Sequence, residues 1–191
     1  MPETKFRKIN NLIGWILFSV ALVTYGLTVE PTASYWDAGE YISTSAKLQV
    51  GHPPGAPFFQ MMGAVFSLFA SNNESIAIAV NFLSVVSSAF VILFLFWSTT
   101  LILKKISKKN NFTNDTNILL SSSIGALAFT FSDSFWFNAV ETEVYALAML
   151  FLSATFWCGL RWEKDFDNKR GDKWLLLICF LIGLSFGVHF M

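Results

Sequence analysis

From Ile76 to Leu103 the chain carries no charged side chain, and the run ends in Lys104, Lys105, Lys108 and Lys109. As a helix rising 1.5 Å per residue this stretch would be about 42 Å long, more than enough for a hydrocarbon core of roughly 30 Å. A bilayer is the solvent that such a run requires. Composition agrees, since only 14% of the 191 residues are charged and mean hydropathy is +0.53, against about 25% charged residues in soluble domains.

Other apolar runs flank this one. Leu12 to Val29 is the first, preceded by Lys5, Arg7 and Lys8. It exceeds the apolar region of about 7–15 residues in a signal peptide, and Thr32-Ala33-Ser34 is a poor cleavage site, so a retained anchor is expected. Further spans are expected over 117–131, 138–160 and 174–191. The last has no polar flank after Phe190. A finished span ends in interfacial anchors, so the chain is expected to be the N-terminal piece of a longer protein, with that span truncated.

Twelve of the thirteen Lys and Arg fall in the N-terminus, in residues 104–109 and in residues 161–173. The positive-inside rule puts all three segments in the cytoplasm. This topology holds only if Phe58 to Ala70 does not cross, and 13 residues span only about 20 Å as helix. The expectation is an all-α polytopic membrane protein with a cytoplasmic N-terminus. Residues 30–75 form an outer loop of two interfacial or re-entrant helices, about 35–50 and 57–70.

Several functions lack support. Cys158 and Cys179 both lie in apolar runs and read as small membrane-core residues. No CxxC, GxGxxG or P-loop occurs, so zinc, nucleotide and nucleic-acid chemistry are not indicated. The sequons Asn111-Phe112-Thr113 and Asn114-Asp115-Thr116 fall in the expected cytoplasmic loop and are discounted. Asn73-Glu74-Ser75 is the third match.

The outer face holds Glu30, Asp37, Glu40, Glu74, Asp133, Glu141 and Glu143, with Lys47 as its only Lys or Arg. Acids gathered at membrane depth mark a functional site by default. Asp37 and Glu40 fit a helix cap, through either Ser34-Tyr35-Trp36-Asp37 or Asp37 itself with Glu40 at its third position. They equally suit a carboxylate base at the water–membrane boundary. On a helix from Ser34 to Val50, Tyr41, Ile42, Ser45 and Leu48 share one face, while Asp37, Glu40, Thr44 and Lys47 share another. Gly51-His52-Pro53-Pro54-Gly55 breaks that helix, and Pro57 starts the next.

Glu141 and Glu143 are read as opening the span over 138–160, where acids oppose the helix dipole. Two residues apart on a helix, they point to nearly opposite faces, so at most one joins Asp37. Glu141, with Tyr145 one turn on, is preferred. His189 reads as a helix–helix hydrogen-bonding group, and Asp133 as a cap or turn.

Trp36-Asp37-Ala38-Gly39-Glu40 with Gly51-His52-Pro53-Pro54-Gly55-Ala56-Pro57 resembles the Bacteroidota membrane proteins described as protein O-mannosyltransferase-like. Ser132-Asp133-Ser134-Phe135-Trp136-Phe137 to Glu141-Thr142-Glu143-Val144-Tyr145 is similar to a second block of that family, and Gly183-Leu184-Ser185-Phe186-Gly187-Val188-His189 to a third. The resemblance implies the N-terminal part of a GT-C-like helical bundle with its catalytic acid in the first outer loop. It implies Asp37 as base and Glu40 as its acidic neighbour. Trp36, Lys47, His52 and Asp133 are then expected at the substrate site, with Glu141, Glu143, Tyr145 and His189.

The implied reaction moves a sugar from a polyprenyl-phosphate carrier to a Ser or Thr hydroxyl of an exported protein, at the periplasmic face of a bacterial inner membrane. A leaving phosphate needs cationic help. That help is expected from a divalent metal, from His52 or His189, or from residues further along the chain, which are preferred. Two other classes compete: a transporter or flippase using intramembrane acids, and a non-catalytic assembly subunit.

Overall fold

The computed structural model describes residues 1–110, 114–166 and 171–189, without the side chains of residues 109 and 110. The first sequon in the expected cytoplasmic loop, the cations Lys169 and Arg170, and the end of the last expected span lie outside the described residues. The chain is an all-helical membrane protein. Its elements are α1 (Glu3–Leu27), α2 (Ala38–Lys47), α3 (Pro57–Ser67), a 3₁₀ turn (Asn73–Ser75), α4 (Ile76–Asn110), α5 (Asp115–Thr130), α6 (Asp133–Val140), α7 (Val144–Lys164) and α8 (Gly171–Ser185).

Among the described residues, three helices are long and apolar enough to cross a membrane: α1, α4 continued back to Asn73, and α7. Counted as one broken span, α5 and α6 would make a fourth, bent by 64° at the break between them. The long α4 is the spine, packing against α7 and α1 along its length and against α5 and α3 as well. Its core positions Val80, Val85, Ala89, Ile92 and Phe96 are sealed from solvent. Much of the outer surface is apolar instead, with Leu12, Trp15, Ile16 and Val23 exposed along one face of α1, as a hydrocarbon surround requires.

Hydrogen bonds tie the end of α1 into the bundle. Tyr25, fully buried, donates its hydroxyl proton to the Thr130 carbonyl at 2.8 Å, and the Glu30 N–H donates to the Val140 carbonyl at 2.9 Å. The chain beyond α1 therefore starts from a fixed point beside α6.

Helix α3 has 11 residues, about 16 Å of rise, too short to cross. Pro57 occupies its first turn, where the missing N–H costs nothing. The next donor, the Phe58 N–H, meets the Gly187 carbonyl at 2.7 Å. A Cβ on Gly187 would come within 2.8 Å of the Phe58 Cβ, so glycine is what lets the end of α8 seat α3.

The span expected over 138–160 differs from what forms. Glu141 and Glu143 are extended, with φ/ψ of −127°/162° and −137°/152°, and α7 begins only at Val144. Between them Thr142 is fully buried and donates its hydroxyl to the Asn81 side-chain oxygen. Asn81, also fully buried, donates from Nδ2 to the carbonyls of Glu30 at 2.6 Å and Thr32 at 3.0 Å. One amide on α4 thus fixes two loops at once, and holding Thr142 against α4 keeps this segment out of the helix.

Candidate active site

Helix α2 begins at Ala38 because Asp37 leaves the helical region, but the expected cap does not form. Asp37 sits at the cap position without a side-chain capping hydrogen bond, and Ser34 Oγ has no partner. Glu40, which a capping box would turn back toward Asp37, points elsewhere. Its carboxylate accepts the His52 backbone N–H at 2.6 Å and lies 3.1 Å from His52 Nδ1. The other ring nitrogen, Nε2, is 4.0 Å from Asp37 Oδ2. Both acids of the motif therefore converge on one imidazole.

The turn residues explain why His52 reaches them. A Cβ on Gly51 would stand 2.9 Å from Glu40 Oε1 and 3.1 Å from Gln60 Nε2, so a larger residue here would push aside the side-chain ends that meet His52 and Thr44. Gln60, buried on α3, donates to Thr44 Oγ1, which donates to the Glu40 carbonyl. The Pro53–Pro54 bond is cis and Gly55 has φ 82°, and between them the chain turns into α3. Immediately before Asp37, Trp36 has φ 58° and is 87% exposed. A bulky residue in the left-handed region costs about 1–3 kcal/mol, and such positions concentrate at functional sites.

Charge states follow from these contacts. Glu40 is held below its usual value, first by the His52 N–H and then by the ring. The same pairing raises His52, with Asp37 and Glu143 adding to it at longer range. The pairing therefore favours the protonated form of His52, which is paired with one carboxylate and within reach of a second.

Glu143, not Glu141, is the acid that meets Asp37. Its carboxylate faces the Asp37 backbone N–H, and it is pushed up to about 7, first by burial and then by the charges of Glu141 and Asp37. The reason is the extended backbone, in which residues two apart point the same way, so both acids face residues 30–37. Glu141 is 3% exposed and lies beside Ser34 and Glu30. Ser34 does not close a well-aligned bond to it, for Glu141 Oε2 also has no partner. Burial is the main cause that raises Glu141.

Three more aromatic groups border the cluster. Tyr41 packs 6.1 Å from the His52 ring and 5.3 Å from Phe59. Burial first, then Glu143, Asp37 and Glu40, push its hydroxyl up to about 12. Tyr145 also acts on Tyr41, and stacks edge-on against His189 at 5.6 Å. The motifs around Asp37, Glu143 and His189 thus meet.

Lys47 and Asp133 are not gathered with them. Lys47 is exposed in the last turn of α2, about 15 Å along the axis from Asp37. Asp133 is exposed at the start of α6, and among the described residues neither makes a hydrogen bond or ion pair with the cluster. On the α2 face expected to be polar, Thr44 is buried, while Leu48, expected on the apolar face, is exposed in a left-handed C-cap.

Sequence reasoning missed Asn81, Thr142, Gln60 and the seat at Gly187. A lone asparagine in an uncharged apolar run was the available signal for the first.

Asp37, Glu40 and His52 each offer one ligand atom, all within 4.8 Å of one another. Two carboxylates and one imidazole suit a hard or borderline divalent ion such as Mg²⁺ or Mn²⁺. Protonated His52 cannot ligate, so metal and imidazolium are alternative occupants of the same space.

No solved structure matches the chain. Among curated proteins, Protein O-mannosyl-transferase tmem260 of Dictyostelium discoideum is 29% identical over 158 residues, covering 81% of this chain and 18% of that protein. Protein O-mannosyl-transferase TMEM260 of Mus musculus is 27% identical over 175 residues, covering 88% and 22%. The chain therefore spans about a fifth of the length of the curated relatives it matches. The family described as the Protein O-mannosyl-transferase TMEM260 N-terminal domain matches residues 37–191, beginning at the aspartate of the cluster and running through its three motifs, and the chain belongs to that family.

Proposed function

We propose that this chain carries the base-side half of the active site of a GT-C-type glycosyltransferase. In this reading it works in a bacterial inner membrane with its N-terminus cytoplasmic. The enzyme moves a sugar from a polyprenyl-phosphate donor to Ser or Thr of exported proteins at the periplasmic face. The observation that carries the reading is the convergence of Asp37, Glu40, His52 and Glu143 at one end of a membrane bundle, in a chain whose relatives are named protein O-mannosyl-transferases.

Asp37 is the most exposed carboxylate of the cluster and the one without a tight partner. It takes the proton of the acceptor hydroxyl as that oxygen attacks the anomeric carbon. The bond from that carbon to the carrier phosphate breaks on the opposite face, giving inversion, as in the general-base half of inverting glycoside hydrolysis. His52, whose protonated form Glu40 favours, lies 4.0 Å from Asp37 on the base side of the site. Charge for the departing phosphate comes from residues further along the full-length protein, and Asp37, Glu40 and His52 would hold a divalent ion where one binds.

A cavity of about 440 Å³ lies beside Ser34, three residues from Asp37, lined also by Glu30, Tyr35, Phe137 and Glu141. The unpartnered Ser34 Oγ and Glu141 Oε2 suit sugar hydroxyls, with Tyr35 and Phe137 for the ring faces.

The test is Asp37→Asn in the full-length protein. Sugar attachment to exported proteins, read by mass spectrometry, falls by at least about a hundred-fold at normal protein level. Unchanged attachment removes Asp37 as the base.

A further inference from the structure

At the opposite end of the bundle, a helix length of about 32 Å from the acids along α7, the ends of α1, α4 and α7 enclose a second cavity. It has a volume of about 290 Å³, and Arg7, Lys104, Arg161 and Lys164 all line it, with Glu3 the one acid. Segregated cations alone are what the positive-inside rule yields in any membrane protein. Here a second observation points to a ligand. Two buried N–H donors without any partner, Trp97 Nε1 and Arg161 Nε, belong to residues lining this cavity.

Arg161 is built in. Its guanidinium stands 5.7 Å from the Trp157 ring and 5.3 Å from Trp174. One nitrogen reaches only 3.7 Å from Asp165, and that carboxylate oxygen also accepts the Trp174 indole N–H at 3.1 Å. A planar fork fixed between aromatic rings with a free N–H is suited to a tetrahedral oxyanion. Lys104 and Lys164 both lean on Glu3, at 2.6 Å and 3.6 Å. Glu3 is 65% exposed at the chain's start, so a stronger anion displaces it at little structural cost.

The cavity continues into an adjoining groove of about 620 Å³ that shares Glu3, Leu101, Lys104 and Lys164. Its further walls are Ile102 and Leu160, with Lys105 and Lys108 at the edge and Glu163 paired to Lys105. The groove runs on toward the Lys108 end of α4, so the two cavities together make one cationic surface at the ends of the helices.

We propose that the Arg7–Lys104–Arg161 cavity is a binding site for a phosphate group, filled by the head group of an anionic lipid at the membrane surface. Basic pockets between membrane helices are suited to such head groups. The proposal is independent of the transferase reading, and its test does not use activity.

The experiment takes the full-length protein in neutral phosphatidylcholine nanodiscs and titrates labelled phosphatidylglycerol, with inorganic phosphate as the soluble competitor. Phosphatidylglycerol binds saturably, and Arg161→Gln and Lys104→Gln each weaken it roughly five-fold, as about 1 kcal/mol per cation implies. Glu3→Gln, which frees Lys104 and Lys164, tightens it. That sign distinguishes a ligand site from helix ends held together by ion pairs. Inorganic phosphate binding with the same variant pattern, and no lipid binding, would keep the phosphate site and reassign its source to solution. Saturable binding of neither, or equal binding by wild type and all three variants, overturns the proposal.

Discussion

Glu40 and His52 hold each other charged, and pH reads that pairing. His52 is raised above 6.5, so its contribution to stability is complete below that value and fades as pH climbs through the higher folded value. Glu40 is lowered from 4.5, so its contribution is present above 4.5 and fades as pH drops through the lower one. The clasp is therefore complete between 4.5 and 6.5 and persists above until His52 gives up its proton. In the full-length protein the His52 ring, followed by NMR, titrates above 6.5 and returns toward it in Glu40→Gln. The same midpoint in both proteins would remove Glu40 as the partner. Glu143 has the opposite sense. Raised from 4.5 to about 7, it favours folding fully below 4.5, and that contribution disappears as pH rises through about 7. Glu143→Gln should raise the thermal midpoint above pH 7 and leave it unchanged near 4.5. A variant that loses stability above pH 7 would mean that the ionised Glu143 is a favourable partner.

The element that decides the site's shape is the extended break before α7, and Asn81 decides the break. Asn81→Leu leaves the carbonyls of Glu30 and Thr32 and the Thr142 hydroxyl without partners. The buried Thr142 hydroxyl costs about 1–3 kcal/mol when left unpaired, and the part-buried Glu30 and Thr32 carbonyls add to it, so the loss in denaturant unfolding should be roughly 2 kcal/mol or more. Thr142→Val strands only one Asn81 oxygen and should cost less. Equal losses would show that Asn81 does not bridge the two loops. This break also marks where sequence reading stops. The apolar runs made every long helix legible, and the Gly/Pro turn made the α2–α3 division legible, because those signals are local. From Asn138 to Leu160 the hydropathy gives no reason for a helix to start late, since the cause is an amide on α4 more than fifty positions earlier. Helical spacing therefore set Glu141 and Glu143 on opposite faces and favoured the wrong one for Asp37. The cap at Asp37 was likewise a sound local inference, overruled because His52, twelve residues on, competes for Glu40.

At the scale of the whole molecule, charge is separated along the bundle axis. Asp37, Glu40, Glu141, Glu143 and His52 lie at one end of the bundle, and the other end holds Arg7, Lys104, Lys105, Arg161 and Lys164 with Glu3, Glu163 and Asp165 paired among them. In the proposed orientation, with the cations in the cytoplasm as the positive-inside rule favours, the acid–histidine cluster would lie outside, where a lipid-carried sugar and an exported acceptor would meet. The arrangement depends on α3, because a crossing helix there would put α2 and the start of α4 on opposite sides. Lys47 precedes α3 and Glu74 follows it, and both are exposed. In a full-length background with Cys158 and Cys179 replaced by Ala, Lys47→Cys and Glu74→Cys should both react with a membrane-impermeant maleimide in intact spheroplasts. Lys105→Cys, exposed at the far end of α4, should react only after permeabilisation. Reaction of one α3 flank without the other would make α3 a crossing helix and divide the site between two compartments. Reaction of Lys105→Cys alone in intact spheroplasts would invert the bundle, and the cluster would then face the cytoplasm, where no exported protein could reach Asp37.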